Sequence, residues 1–185
     1  SDFDRTVRGY LKADPDRVAS IRKELQLDGK RVIGISWRSF NTRYETKSIQ
    51  LKDMEDMFSG LDVVLVNLQY GDVDDEIRAF TEETGIEVVQ CASVDNREDL
   101  DGLAALIEAC DLVISTSNVT VHMAGALAKE TWVLLHHVTL YYWLTERRDS
   151  IWYPTLRLYR QTSLNDWSSV YESIRKDLQR ELIKT

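Results

Sequence analysis

Leu112-Val113-Ile114-Ser115-Thr116-Ser117-Asn118-Val119-Thr120-Val121-His122-Met123-Ala124-Gly125-Ala126-Leu127-Ala128 is the stretch on which the reading of this chain turns. Its first three residues read as a buried strand. A hydroxyl-rich turn follows, then a helix of small residues, then a second buried strand, Trp132-Val133-Leu134-Leu135. The first turn of a helix carries unpaired N–H groups and a partial positive charge, so a strand-to-helix turn of this kind is a natural seat for a phosphate. Ser117 and Asn118 are also good helix caps. The plainer alternative is a capped helix inside an α/β domain.

Working outward, strands and helices alternate. Asp14-Pro15 starts a helix whose Val18, Ile21 and Leu25 share one face, and Asp28-Gly29 ends it. Val32–Ser36 is a strand, Leu51, Met54 and Phe58 mark a helix, and Val63–Leu68 is a strand. Val73, Ile77 and Phe80 mark a helix, Ile86–Val89 a short strand, and Leu100 to Cys110 a helical stripe. Leu156–Tyr159 reads as an edge strand, and Trp167, Val170, Ile174, Leu178 and Leu182 as a last amphipathic helix. This alternation predicts a Rossmann-like three-layer α/β/α domain with a mainly parallel sheet. Residues 1–30 are expected to form a helical lead-in and residues 31–185 the Rossmann-like domain.

The chain has 185 residues, 43% hydrophobic and 29% charged, which suits a globular domain with a substantial core. No apolar run reaches the ~20 residues of a membrane span. Cys91 and Cys110 fit a reducing compartment, so a cytoplasmic location is expected. Neither these cysteines nor His122, His136 and His137 show a metal-ligand spacing, and no metal is expected. The net charge of −8 argues against nucleic acid as a partner. Charge is uneven, however. Residues 31–47 sum to +3 through Arg31, Arg38, Arg43 and Lys47 against Glu45, whereas residues 71–101 carry 11 acids and sum to −9. The chain does not begin with Met and is expected to be a piece of a longer protein.

In an open parallel sheet, ligands bind beyond the carboxyl ends of the strands. The loops to read are therefore Ser36–Lys47, Asn67–Asp72, Cys91–Asp95, Ser115–His122 and His136–Tyr142. In the first, Arg38, Arg43 and Lys47 can neutralise a diphosphate, and Ser48 can cap the next helix. In the second, Gln69 can bond a base edge and Tyr70 can stack on it, with Gly71 supplying a tight turn. His122, one turn into its helix, can donate to a phosphate oxygen or steady the cap. Trp37, Trp132, Trp143 and Trp152 read as packing residues. No nucleophile beside a base, no carboxylate pair and no P-loop is present, so no catalytic residue is assigned.

From Val32 to Arg160 these pieces resemble, in order, the C-terminal half of GT-B glycosyltransferases of the heptosyltransferase-like type. The resemblance is to bacterial proteins in which that domain follows tetratricopeptide repeats. It is carried by Gly34-Ile35-Ser36-Trp37-Arg38, Lys47-Ser48-Ile49, Leu68-Gln69-Tyr70-Gly71-Asp72, Asp111–Ser115, His122–Leu127, Trp132–Leu135, Trp152-Tyr153-Pro154 and Arg157–Gln161. The chain departs from the pattern at Ser117-Asn118, where relatives often carry Asp-Thr, and at Leu140-Tyr141-Tyr142-Trp143, where they carry Asp-Trp-Arg-Trp. Ala128, Glu130 and His136 are further departures.

The resemblance implies one half of a GT-B fold that binds the nucleotide diphosphate sugar of an inverting, metal-independent enzyme, with no cofactor. Lys47 and Arg38 would meet phosphates, Gln69 and Tyr70 the base or ribose, and the Ser117–His122 turn the diphosphate. The general base would come from a missing N-terminal half, so the piece is expected to be inactive alone. The acceptor, whether glycan, lipid or protein, is open. Two alternatives remain: a non-catalytic nucleotide-binding or interaction domain on the same fold, and an epimerase-like enzyme.

Overall fold

A computed structural model of the chain describes residues 9–39 and 48–183. It contains α1 (Pro15–Glu24), β1 (Val32–Ser36), a 3-10 turn (Leu51–Met54) running into α2 (Glu55–Phe58), β2 (Val64–Asn67) and α3 (Asp74–Thr84). Then come β3 (Val88–Val89), α4 (Leu100–Ala109), β4 (Leu112–Thr116), α5 (Val119–Ala126), β5 (Thr131–Leu135), β6 (Leu156–Arg160) and α6 (Ser168–Leu182). The six strands form one sheet in the order β3-β2-β1-β4-β5-β6, and every neighbouring pair is parallel. The expected Rossmann-like three-layer architecture is the one observed.

Alternation along each strand feeds two opposite layers. Ile33, Ile35, Leu65, Ile114, Trp132 and Leu134 pack with Met57, Phe58, Ile77, Phe80, Ile174 and Leu178, so α2, α3 and α6 cover one face. Val32, Val66 and Val113 pack on the other face with Ile21, Leu27, Leu103, Leu106, Ile107 and Ala124 from the α1, α4 and α5 side. Gly34 sits where a side chain has no room. A Cβ there would lie 2.4 Å from Leu68 Cδ1 and 3.0 Å from Cys110 Sγ.

Local chemistry sets the helix ends. Asp14 Oδ1 accepts from the amides of Asp16 at 2.9 Å and Arg17 at 3.4 Å, with Pro15 opening α1. Asp99 caps α4 by accepting from Gly102 N at 2.9 Å, and its carboxylate also pairs with Arg17 of α1. The Arg17 hydrogen bond, helped by the Gly102 amide, holds the Asp99 carboxyl below its usual range. Gly85, at φ 72°, ends α3 in the left-handed region. Ser48 does not cap a helix: its Oγ accepts from Ser39 N at 3.1 Å, and Gln50 forms the capping box of the 3-10 turn instead.

Both edges of the sheet are short or covered. The β3 edge has two residues. At the other edge, Leu158 N donates to Arg148 O at 2.8 Å and Asp149 bridges antiparallel to Arg157. Three of the four tryptophans expected to pack are fully buried, but Trp152 is 54% exposed. Residues ahead of α1 also lie against the domain, since Leu11 N donates to Ala126 O at 3.1 Å. No helix among the described residues is long and apolar enough to cross a membrane.

Cys110 is enclosed between α4 and β1, and burial pushes its thiol up to about 12. Reactivity needs the thiolate. At pH 8 the native protein should therefore leave Cys110 unmodified by iodoacetamide, and unfolding in guanidinium should expose it. Peptide mass spectrometry reads the outcome, and alkylation of Cys110 in the native state at a free-thiol rate would contradict the packing described.

Candidate nucleotide site at the switch point of the sheet

The strand order reverses between β1 and β4, where connections leave the sheet in opposite directions and open a crevice. The loop after β1 and the turn after β4 meet there, and buried amides join them. Gln69 Oε1 accepts from Ser36 Oγ at 3.0 Å, Trp37 N at 3.0 Å and Arg38 N at 2.9 Å. Its Nε2 donates to Tyr70 O at 3.1 Å. Asn118 Nδ2 donates to Ser36 Oγ at 2.7 Å and Arg38 O at 3.2 Å, while Asn118 Oδ1 caps α5 through Thr120 N at 3.0 Å. Asn118 is therefore the cap expected of it.

Gln69 is 1% exposed and both ends of its amide are engaged inside the fold. The expected contact with a base edge gives way to a strut between three loops. Ser117 is equally enclosed, with Trp143 Nε1 donating to its Oγ at 2.8 Å. Arg38 is not set apart for phosphate either. Its Nη1 lies 2.7 Å from Glu76 Oε2, and its Nη2 donates to Asp72 O at 3.3 Å. Glu76 Oε1 also accepts from Trp37 Nε1 at 2.9 Å and Leu51 N at 3.1 Å, so this carboxylate organises the base of the first loop. Arg43 and Lys47 lie outside the described residues.

Two cavities flank the first turn of α5. One, of about 440 Å³, is lined by Tyr70, Gly71, Asp72, Asn96, Leu100 and Val119, among others. It is mostly apolar, and Leu100 and Val119 leave 57% and 49% of their surface open around it. Tyr70 lines this cleft, beside the turn that Gly71 makes at φ 89°. The second cavity, of about 270 Å³, is lined by Tyr10, His122, Tyr142, Trp152 and Tyr153. His122 stacks on Trp143 at 5.6 Å and 16°, and its Nδ1 lies 3.3 Å from Tyr153 Oη.

Leu100, Tyr10, Trp152 and Tyr153 lie outside the loops expected to form the site, whereas Val119 and Tyr142 lie within them without having been singled out. The runs Tyr141-Tyr142-Trp143 and Trp152-Tyr153 were a usable signal, because aromatics so dense after a strand rarely all find core positions. Tyr10 had none. Among the described residues no group of histidines, cysteines and carboxylates is gathered as a metal site would require.

The crevice of this α/β sheet thus holds an apolar slot, a capped helix turn and an aromatic hollow side by side. No family model matches the chain. Protein FlbA of Caulobacter vibrioides is 35% identical over 162 residues, covering 85% of this chain and 27% of that protein. The chain therefore spans about a quarter of that relative.

Among solved structures, the glycosyl transferase family 9 protein of Veillonella parvula aligns over 100% of this chain and 63% of its own, with TM-score 0.65 and 13% identity. E. coli ADP-heptose LPS heptosyltransferase II aligns over 94% and 53%, with TM-score 0.64 and 14% identity. Anabaena HepE, solved with UDP-glucose, aligns over 92% and 45%, with TM-score 0.52 and 17% identity. At these identities the likeness defines a fold: the Rossmann-like domain found in GT-B glycosyltransferases.

Replacing Gln69 with Leu removes the acceptor shared by three donors at the crevice. Leaving such groups buried and unpaired should cost about 3 kcal/mol of stability. Urea unfolding monitored by tryptophan fluorescence measures it, and a loss near zero would show that the strut is dispensable.

Proposed function

We propose that this chain is the donor-binding domain of an inverting, metal-independent glycosyltransferase that takes a nucleotide diphosphate sugar. The observation that carries the reading is the pair of cavities on either side of the α5 first turn, at the switch point of a GT-B-type sheet. In this reading a base lies in the slot between Tyr70, Leu100 and Val119. The diphosphate lies over the α5 turn that Asn118 caps and Ser117 shapes, where the helix end favours negative charge. Lys47 and Arg38 add cationic charge from the first loop, with Arg38 released from Glu76 or shared with it.

The leaving diphosphate is then stabilised by fixed dipoles and side-chain cations, without a metal. The general base for the acceptor hydroxyl comes from the other half of the enzyme, in a longer cytoplasmic protein, so this domain alone does not turn over. The fold shared with the glycosyltransferase neighbours supports the reading. A second reading, a binding domain without transfer activity, is favoured by the internal engagement of Gln69, Asn118 and Arg38.

Calorimetry without metal against ADP, UDP, GDP and CDP and their sugar forms tests the proposal. One nucleotide should bind saturably. Val119→Asp, which places a carboxylate in the base slot and beside the phosphates, should weaken it at least about tenfold by like-charge repulsion and lost apolar contact. Lys47→Ala should weaken it as well. No saturable binding to any of the eight would overturn the donor reading, and undiminished binding by Val119→Asp would move the site away from α5. Binding without transfer, when the full-length protein is supplied with acceptor, would favour the second reading.

A further inference from the structure

The aromatic hollow beside α5 has features that packing does not explain. Tyr10 is 72% exposed and Trp152 54% exposed, yet both face the same 270 Å³ concavity. Grouped exposed aromatics around a hollow mark a binding surface more than a core. The rings are also held by a buried frame. Ser150, 3% exposed, accepts from Trp152 N at 3.1 Å and Tyr153 N at 3.2 Å. Trp152 Nε1 donates to Tyr142 O at 3.1 Å. Gly125 lets the Tyr153 ring lie directly on α5, since a Cβ there would stand 2.4 Å from Tyr153 Cγ.

Tyr10 arrives from a different part of the chain and is pinned on both sides. Before it, Gly9 lies so close to α5 that a Cβ would stand 2.7 Å from the Leu127 carbonyl carbon. After it, Leu11 N donates to Ala126 O. The segment ahead of α1 is thus a strap across the C-terminal end of α5, and it carries one wall of the hollow. Burial, with the hydrogen bond to Tyr10, pushes the Tyr153 phenol up to about 12, so it stays a donor across the physiological range.

We infer that this hollow seats the sugar ring of the donor, and that Tyr10 and Trp152 are the residues that read it. The inference rests on the donor reading above and adds to it the part of the site that selects the sugar. The chemistry of the lining is that of a pyranose, whose ring C–H groups lie on the negative faces of aromatic rings while its hydroxyls meet phenols and an imidazole. None of the five lining residues is an acid, a lysine or an arginine. The hollow is linked to the α5 turn through side chains. His122 belongs to the first turn of α5, and Trp143, stacked on His122, donates to Ser117 in the turn itself. In this reading a group attached to a phosphate seated over that turn extends toward the hollow.

The test compares each bare diphosphate with its sugar form by calorimetry: ADP with ADP-glucose, UDP with UDP-glucose, GDP with GDP-mannose and CDP with CDP-glucose. In at least one pair the sugar should tighten binding about tenfold. Tyr10→Ala and Trp152→Ala should abolish that increment and leave the bare diphosphate within about twofold of its original affinity. Tyr10→Phe and Trp152→Phe, which keep a ring face, should retain most of it.

Equal affinity within every pair for the unaltered protein overturns the inference and leaves the donor reading standing, as does an equal loss for both members of a pair in the variants. Silence toward all eight ligands overturns the donor reading and this inference together. Both tyrosine and tryptophan are largely exposed, so a melting temperature within a few degrees of the original is expected for each variant.

Discussion

One carbonyl oxygen organises the working end of this domain. Gln69 Oε1 takes hydrogen bonds from Ser36, Trp37 and Arg38, and Asn118 closes the circuit from the other side of the crevice by donating to Ser36 and Arg38. The loops after β1, β2 and β4 are thereby tied into one buried polar network. Such a network is costly when half satisfied and specifies a single arrangement when complete. Because Asn118 also caps α5, the direction of that helix, and of the two cavities its first turn lines, is set by the same bonds.

Part of the uneven charge has a structural origin. Asp74, Asp75 and Glu76 occupy the first turn of α3, where a helix favours acids. Asp95 accepts from the amides of Arg97 and Glu98, and Asp99 caps α4. Of the basic residues between 31 and 47, Arg31 pairs with Glu181 and Arg38 with Glu76. A local excess of one sign along the chain is thus compatible with neutral pairs in space, because the partners come from segments about 40 and 150 residues away.

The architecture was legible in the sequence for the reason that hydrophobic period and turn chemistry are local. The strands, the Asp14-Pro15 start and the small-residue helix after β4 all follow from neighbours within a few residues. Strand lengths were overdrawn at Ile86–Val89, where only Val88 and Val89 pair. The site was less legible because an amide can serve a ligand or a loop with equal ease. Gln69 and Asn118 have the composition of ligand contacts, and only the fold shows their atoms turned inward. Tyr70, which needed just a position beyond a strand end, does line a cavity there. Tyr10 was out of reach, since nothing near it in the chain announces that it crosses α5.

The edges of the sheet carry a consequence of another kind. A parallel sheet with open margins can recruit further strands and grow. Here one margin is two residues long and sits beside exposed Glu87, while the other is occupied by the antiparallel return at Arg148 and Asp149. The backbone polar groups able to template another chain are thus few at one margin and partly engaged at the other. Crowding many copies together, as on the surface of a large assembly or in a concentrated cell, therefore finds little sheet margin to pair with among the described residues.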